Sequence, residues 1–118
     1  MRYTLNYMVQ YSPRLDRAFG ALSDSTRRGI LERLADGDAS ITELAGRFDM
    51  TLTGMKKHVA VLEDAGLVTT EKVGRVRICR LGPRRLEDEM SWIESYQAML
   101  EERMDRLEAF LERTKGED

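Results

Sequence analysis

Residues 40–66 read SITELAGRFDMTLTGMKKHVAVLEDAG, and the two helices they encode decide the fold. Ser40 precedes Glu43 by three positions, the spacing at which each side chain satisfies the other's free backbone amide at a helix start; Leu44, Ala45 and Phe48 follow as the apolar face. A second helix begins at Thr51, whose hydroxyl caps it. Leu52, Met55, Val59, Leu62 and Ala65 lay one apolar stripe along this helix until Gly66 ends it. Only the tight Asp49-Met50 turn separates the pair, which makes a helix-turn-helix. With the stripe turned inward, Thr53, Gly54, Lys56, Lys57 and Ala60 fall on the outer surface.

Towards the N-terminus, Asp24, Ser25 and Thr26 offer caps to a helix whose stripe is Ile30, Leu31, Leu34 and Ala35, stopped near Asp36 and Gly37. Before it, Ser12 and Pro13 suit an N-cap and first helical position, and Leu15, Ala18, Phe19 and Leu22 recur at helical spacing. Towards the C-terminus the period changes. Residues 67–72 and 75–81 are rich in Val, Thr and Ile, and the Val73-Gly74 step supplies the glycine a tight hairpin needs. Val76 and Ile78 share a face with Arg80, while Cys79 and Leu81 share one with Arg75 and Arg77. Gly82-Pro83 closes this ribbon and opens a long last helix, with Pro83 tolerated in its first turn.

Along that helix Leu86, Met90, Ile93, Gln97, Leu100, Met104, Leu107 and Leu111 advance by alternating steps of four and three, the a/d spacing of a coiled-coil seam. Gln97 is the polar member. A helix packed only on its own domain tends to widen its stripe, whereas this one reads as narrow with acidic flanks, so the seam predicts a partner helix.

The chain has 118 residues and a formal net charge of −2, which looks wrong for a nucleic-acid binder. The charge is segregated. Residues 1–46 are neutral, residues 47–85 carry nine basic against four acidic side chains for a net of +5, and residues 86–118 carry four against eleven for −7. A charge run alone is usually a solvated face. Here the basic third coincides with a helix-turn-helix followed by a hairpin, a layout in which a helix enters the major groove and a basic wing reaches the flanking backbone. Thr53 can donate and accept at a base edge, Lys56 and Lys57 reach phosphates or guanine acceptors, and Gly54 reflects either tolerance near the cap or close approach. Thr51 is first a cap, although its hydroxyl and the free amides of that turn also suit a phosphate. His58 reads as a phosphate contact or a packed, hydrogen-bonded histidine, and Lys72, Arg75 and Arg77 as the wing's cations.

Other chemistries find no support. One cysteine, Cys79, excludes an intramolecular disulfide, and with His58 as the only histidine no soft-ligand cluster exists within one chain, so no metal or cofactor is expected. Cys79 reads as a small buried hydrophobe. Glu101, Glu102 and Asp105 have no partner arranged for acid–base work, and no nucleophile elbow or phosphate loop occurs, which argues against an enzyme. No apolar run is long enough to span a membrane and the N-terminus lacks a secretory signal, so the expected location is the cytoplasm.

Five segments together resemble the ArsR/SmtB family of bacterial winged-helix repressors: Leu15-Asp16-Arg17-Ala18-Phe19, Leu22-Ser23-Asp24-Ser25-Thr26-Arg27-Arg28, Ile41-Thr42-Glu43-Leu44-Ala45, Lys57-His58-Val59 with Val61-Leu62-Glu63, and Ala65-Gly66-Leu67-Val68. The resemblance covers about residues 14–111. It implies a homodimer that binds an inverted-repeat operator in double-stranded DNA and blocks transcription, with residues 51–65 as reader and residues 67–81 as wing. It also implies that the first and last helices pair across the dimer, through Leu15 and Phe19 and through Met90, Ile93, Gln97, Leu100, Met104, Leu107 and Leu111. The metal-sensing members carry a cysteine pair on the third helix and Asp/His ligands on the last. Residues 41–48 hold no cysteine and residues 86–111 no histidine, so the likeness is to the metal-independent members.

The expected architecture is mainly α with a small β-hairpin: a winged helix-turn-helix over residues 13–82 and a C-terminal dimerisation helix over residues 83–113, with an extension at 1–12 and a tail at 114–118. Residues 1–7 precede the family match. Either Met8 is the natural start, or Tyr3, Tyr7 and Tyr11 extend the first helix into the dimer interface. The alternative function is a winged-helix module that binds another protein through the same hairpin and seam. The sequence names neither an effector nor an operator.

Overall fold

Side-chain oxygens start four helices in the computed structural model, which describes residues 12–116. Ser12 accepts from the Leu15 amide at 3.4 Å and opens α1 (Pro13–Leu22). Asp24 accepts from Arg27 N at 3.0 Å and opens α2 (Ser25–Ala35). Ser40 accepts from Glu43 N at 3.0 Å for α3 (Ile41–Arg47), and Thr51 from Gly54 N at 3.0 Å for α4 (Leu52–Asp64). Each satisfies one of the amides a helix leaves unpaired. At Ser40 the Glu43 carboxylate lies 3.4 Å from the serine hydroxyl and 3.8 Å from Arg33, so it turns to side chains rather than to the Ser40 amide expected of a reciprocal box.

The ends of α1, α3 and α4 are equally specified. Arg27 and Arg28 donate to Gly20 O, Ala21 O and Leu22 O at 2.7–3.0 Å, so the first turn of α2 caps the last carbonyls of α1. After α4, Gly66 at φ +77° lets its amide reach Glu63 O and the Leu67 amide reach Leu62 O, both at 2.9 Å. The same pair of bonds closes α3, from Asp49 to Gly46 O and from Met50 to Ala45 O, but there the left-handed residue is Asp49 at φ +53°.

The wing is part of a three-stranded antiparallel sheet, in the order β1 (Ala39–Ser40), β3 (Val76–Leu81), β2 (Val68–Val73). The expected hairpin therefore gains an outer strand, with Ala39 opposite Cys79 and Ser40 opposite Ile78. Val73 pairs with Val76, which makes Gly74 and Arg75 the two turn residues. Gly74 sits at φ +64° in the first turn position, where a type II′ turn requires it. The Val73-Gly74 reading of the turn was thus one residue early, and Arg75 leaves the strand face it was expected to share with Arg77.

Ile30, Leu44, Met55, Leu62, Val68 and Cys79 are wholly buried, joined by Leu15, Ala18, Ala21, Leu34 and Val59. Burial of each large aliphatic side chain contributes about 1.5–3 kcal/mol. Leu15, expected at a dimer interface, is 3 % exposed in this core; Phe19 beside it is half-buried. Leu52 departs the other way, 44 % exposed where the inward stripe was expected to begin; it lines an open groove together with Ile41 and Thr42 of α3.

The described residues form two compact units, divided between Arg85 and Leu86. The second holds α5 (Glu87–Gly116), whose thirty residues span about 45 Å. It starts four residues after Pro83, which was expected in its first turn. Residues 82–86 stay non-helical: Gly82 N donates to Leu67 O at 2.9 Å and Arg84 Nη1 to Ala65 O at 3.2 Å, holding the chain against the base of the hairpin. Acidic Glu87, Asp88 and Glu89 open α5 and basic Arg113 and Lys115 close it, matching the helix dipole. Met90, Ile93, Leu100, Met104, Leu107 and Leu111 are all 38–62 % exposed. Tyr96, Met99 and Phe110 are exposed too, and Trp92 stacks on Tyr96 with ring centroids 5.5 Å apart, so the apolar surface is broader than the narrow seam expected. Gln97 donates to Glu101 of its own helix at 3.3 Å. Residues 1–11 of the expected N-terminal extension, Tyr3, Tyr7, Met8 and Tyr11 among them, lie outside the described residues.

Candidate nucleic-acid interface

The helix-turn-helix presents one face of α4. Met55, Val59 and Leu62 point into the core, and Thr51, Thr53, Lys56, Lys57 and Ala60 are exposed on the opposite side. The expected outer surface is therefore brought together, with Gly54 half-buried at its edge. A Cβ at Gly54 would lie 3.2 Å from Thr51 Oγ1 and 3.4 Å from Met50 Cε. The glycine thus leaves room for the hydroxyl that its own amide binds, a local reason independent of any close approach by a ligand.

His58 belongs to a different neighbourhood. Its Nδ1 is 3.2 Å from Arg27 Nη1 and 4.0 Å from Asp24 Oδ2, and its side chain is 20 % exposed. Of its two expected roles the structure supplies the packed, hydrogen-bonded one. Asp24 is itself held below the ordinary aspartate range, first by the Arg27 amide donating to it and then by the nearby charge of Arg27.

Between α4 and the wing runs an open groove of about 670 Å³. Leu52, Val59 and Ala60 form its apolar floor, and Lys56, Lys72, Arg75 and Arg77 its charged rim, with Glu63 the lone acid. Lys72 is the cross-strand partner of Arg77, so the two share a face, while Arg75 projects from the turn. Among the described residues Lys56, Lys57, Lys72 and Arg75 are in no ion pair. Arg80, on the other face, is bound by Glu71 at 3.0 Å and Asp38 at 3.2 Å, which neutralises that side of the wing. The groove is consequently the cationic side, shaped to admit an anionic strand beside a helix of the diameter that fits a major groove.

Sequence reasoning missed three contributors. Glu63 accepts from Thr70 Oγ1 at 2.9 Å, and Thr70 accepts from Arg77 Nη1 at 3.0 Å. Their meeting depends on the register of the hairpin, which the misplaced turn obscured. Arg27, which holds His58, was legible only as part of a family motif. Cys79 is fully buried beneath the same face; burial, then the charge of Glu63, pushes its thiol up to about 11. Among the described residues, no three His, Cys, Asp or Glu side chains stand together as a metal site would require, and no helix is long and apolar enough to cross a membrane.

A helix-turn-helix domain model matches residues 22–71. The chain is 41 % identical over 71 residues to the HTH-type transcriptional regulator Rv2034 of Mycobacterium tuberculosis, a match spanning 60 % of this chain and 66 % of that protein. The crystal structure of the ArsR family transcriptional regulator RHA00566 aligns with 40 % identity and a TM-score of 0.61, covering 80 % of this chain and 94 % of that one. An ArsR-like transcriptional regulator from Rhodococcus sp. RHA1 aligns with 32 % identity and a TM-score of 0.71, over 84 % and 91 % of the two chains. These likenesses, over most of both chains, show that this chain belongs to the ArsR family of winged helix-turn-helix transcriptional regulators.

Proposed function

We propose that this protein is a repressor that binds an inverted-repeat DNA operator as a homodimer in the cytoplasm, and that it acts by occupancy rather than by catalysis. The observation that carries this reading is the exposed polar and basic face of α4 beside a groove rimmed by Lys56, Lys72 and Arg75. Thr53 and Lys57 read base edges from the first turns of α4, while Lys56, Lys72 and Arg75 neutralise phosphates. Dimerisation runs along α5 through Met90, Ile93, Gln97, Leu100, Met104, Leu107 and Leu111, with Phe19 contributing from α1. A twofold dimer places its two reading helices about 34 Å apart, or a multiple of that, so half-sites recur at about one helical turn. Regulation does not use a metal held within one chain: the one thiol is buried and protonated, and His58 is engaged by Arg27.

The test is selection of bound fragments from random double-stranded DNA by the purified protein. Enrichment of a palindrome with that spacing is the expected result, and enrichment of nothing above background refutes the function. The alternative, a protein-binding winged helix, draws on one observation: the apolar pair Val73 and Val76 at the wing tip is 55 % and 45 % exposed. Val73→Ser with Val76→Thr leaves operator affinity unchanged if the tip serves a protein partner, and lowers it if the tip enters DNA.

A further inference from the structure

Arg77 lies in the cationic groove, yet it differs from the other wing cations. Thr70, Lys72, Arg77 and Cys79 share the sheet face nearest α4, because Lys72 pairs with Arg77 and Thr70 with Cys79 across the hairpin. Arg77 Nη1 donates to Thr70 Oγ1 at 3.0 Å, and that hydroxyl in turn donates a hydrogen bond to Glu63 Oε2 at 2.9 Å. A hydroxyl is suited to this place, since it accepts from a guanidinium and donates to a carboxylate at once. The chain of bonds spans from Glu63 in the last turn of α4, through Thr70 of β2, to Arg77 near the start of β3, and all three residues line the groove. Lys72 and Arg75 make no ion pair among the described residues, whereas the charge of Arg77 is answered by Glu63 through one intervening atom.

We propose that Glu63 and Thr70 are positioning residues that hold Arg77 as a strut between the reading helix and the wing, so that Arg77 sets the wing's reach over DNA instead of neutralising a phosphate. This rests on the DNA-binding reading above and refines it, since basic side chains of the wing were expected to serve alike. A strut whose charges cancel adds nothing to counterion release. Each phosphate neutralised contributes about 0.9 to the slope of log affinity against log salt, which separates the two roles.

In salt titrations of operator binding, Arg75→Ala lowers the slope by about 0.9, whereas Arg77→Ala weakens binding several-fold and changes the slope by less than about 0.3. Thr70→Val reproduces the Arg77→Ala loss, Thr70→Ser restores binding, and the double variant Thr70→Val with Arg77→Ala binds no worse than either single one, as two members of one link should. A slope lowered by about 0.9 in Arg77→Ala, or losses that multiply in the double variant, overturns the proposal. A second readout needs no DNA: NMR relaxation at the Arg77 Nε–H of the free protein reports an ordered side chain in the wild type and a mobile one in Thr70→Val. Absence of DNA binding by the wild type overturns the function and this role together. DNA binding with a mobile wild-type Arg77 overturns this role alone.

Discussion

Arg27 Nη1 lies 3.2 Å from Nδ1 of His58, while the same guanidinium donates to Gly20 O and Ala21 O. A guanidinium only donates, so in this bond His58 Nδ1 is the acceptor. The imidazole thereby ties α4 to the junction of α1 and α2. His58→Phe removes the acceptor and is expected to cost about 0.5–1.5 kcal/mol in denaturant unfolding while leaving the salt slope of DNA binding unchanged. A slope reduced by about 0.9 with stability intact would return His58 to the phosphate contacts.

Asp24 gives the acid limb of stability a defined sign. Its carboxyl is held below the ordinary aspartate value by the Arg27 amide, so the folded state binds its proton less tightly than the unfolded chain does. Its contribution is complete above about pH 4 and is lost as pH falls through the lowered value. Asp24→Asn keeps a capping oxygen without a titrating charge, so its denaturant midpoint should fall less steeply with acid than that of the wild type. Superimposable acid limbs would refute the assignment.

Asp49 occupies the left-handed turn between α3 and α4, at φ +53°, in the position where glycine carries no steric cost. Asp49→Gly should therefore raise stability by about 0.5–1 kcal/mol, the strain relieved outweighing the added freedom of the unfolded chain. A lower denaturant midpoint would mean that the aspartate side chain itself holds the turn.

Leu100 and Leu107 are 38 % and 50 % exposed on α5, so charges placed there leave the core of the first unit intact. Leu100→Glu with Leu107→Glu is expected to give a folded monomer with much weaker operator binding. Sedimentation showing an intact dimer would remove α5 from the interface. Gln97→Leu, at the polar seam position, should raise the melting temperature; an unchanged or lower one would deny it a cost in the seam.

Thr53 and Lys57 stand exposed on the outer face of α4, the face proposed to meet base edges. Thr53→Ala or Lys57→Ala should cost about 1–3 kcal/mol on the operator and little on random DNA, because a lost base contact is a loss of discrimination. Arg75→Ala should weaken both alike. Competition binding with operator and random duplexes measures the difference, and a uniform loss in the α4 variants would reassign them to the backbone.

What the sequence made legible was local. Ser12, Asp24, Ser40 and Thr51 act within three residues of themselves, so the helix starts could be read directly. The stripe of α4 was legible except at Leu52, which lines the groove beside the wing, a feature that helical spacing alone does not reveal. A lone glycine in Val73-Gly74-Arg75-Val76 does not say which turn position it fills, and the one-residue error moved Arg75 off the strand face. Leu15 illustrates the same limit from the other side: an apolar stripe on a short helix does not tell whether its partner is the same chain or another. The Arg77–Thr70–Glu63 link needed both the register and the third dimension.

The two-residue strand β1 has a bearing on how such proteins can be rebuilt. Ala39 and Ser40 give the wing its outer edge, and Ser40 also caps α3, so the first helix of the helix-turn-helix grows out of the sheet that the wing belongs to. A wing grafted from a relative as residues 68–81 alone would leave its third strand behind and set a foreign β3 against a native Ala39. Chimaeras intended to exchange wing contacts should therefore carry residues 39–40 with the hairpin, so that the transplanted edge keeps the pairing it was fitted to.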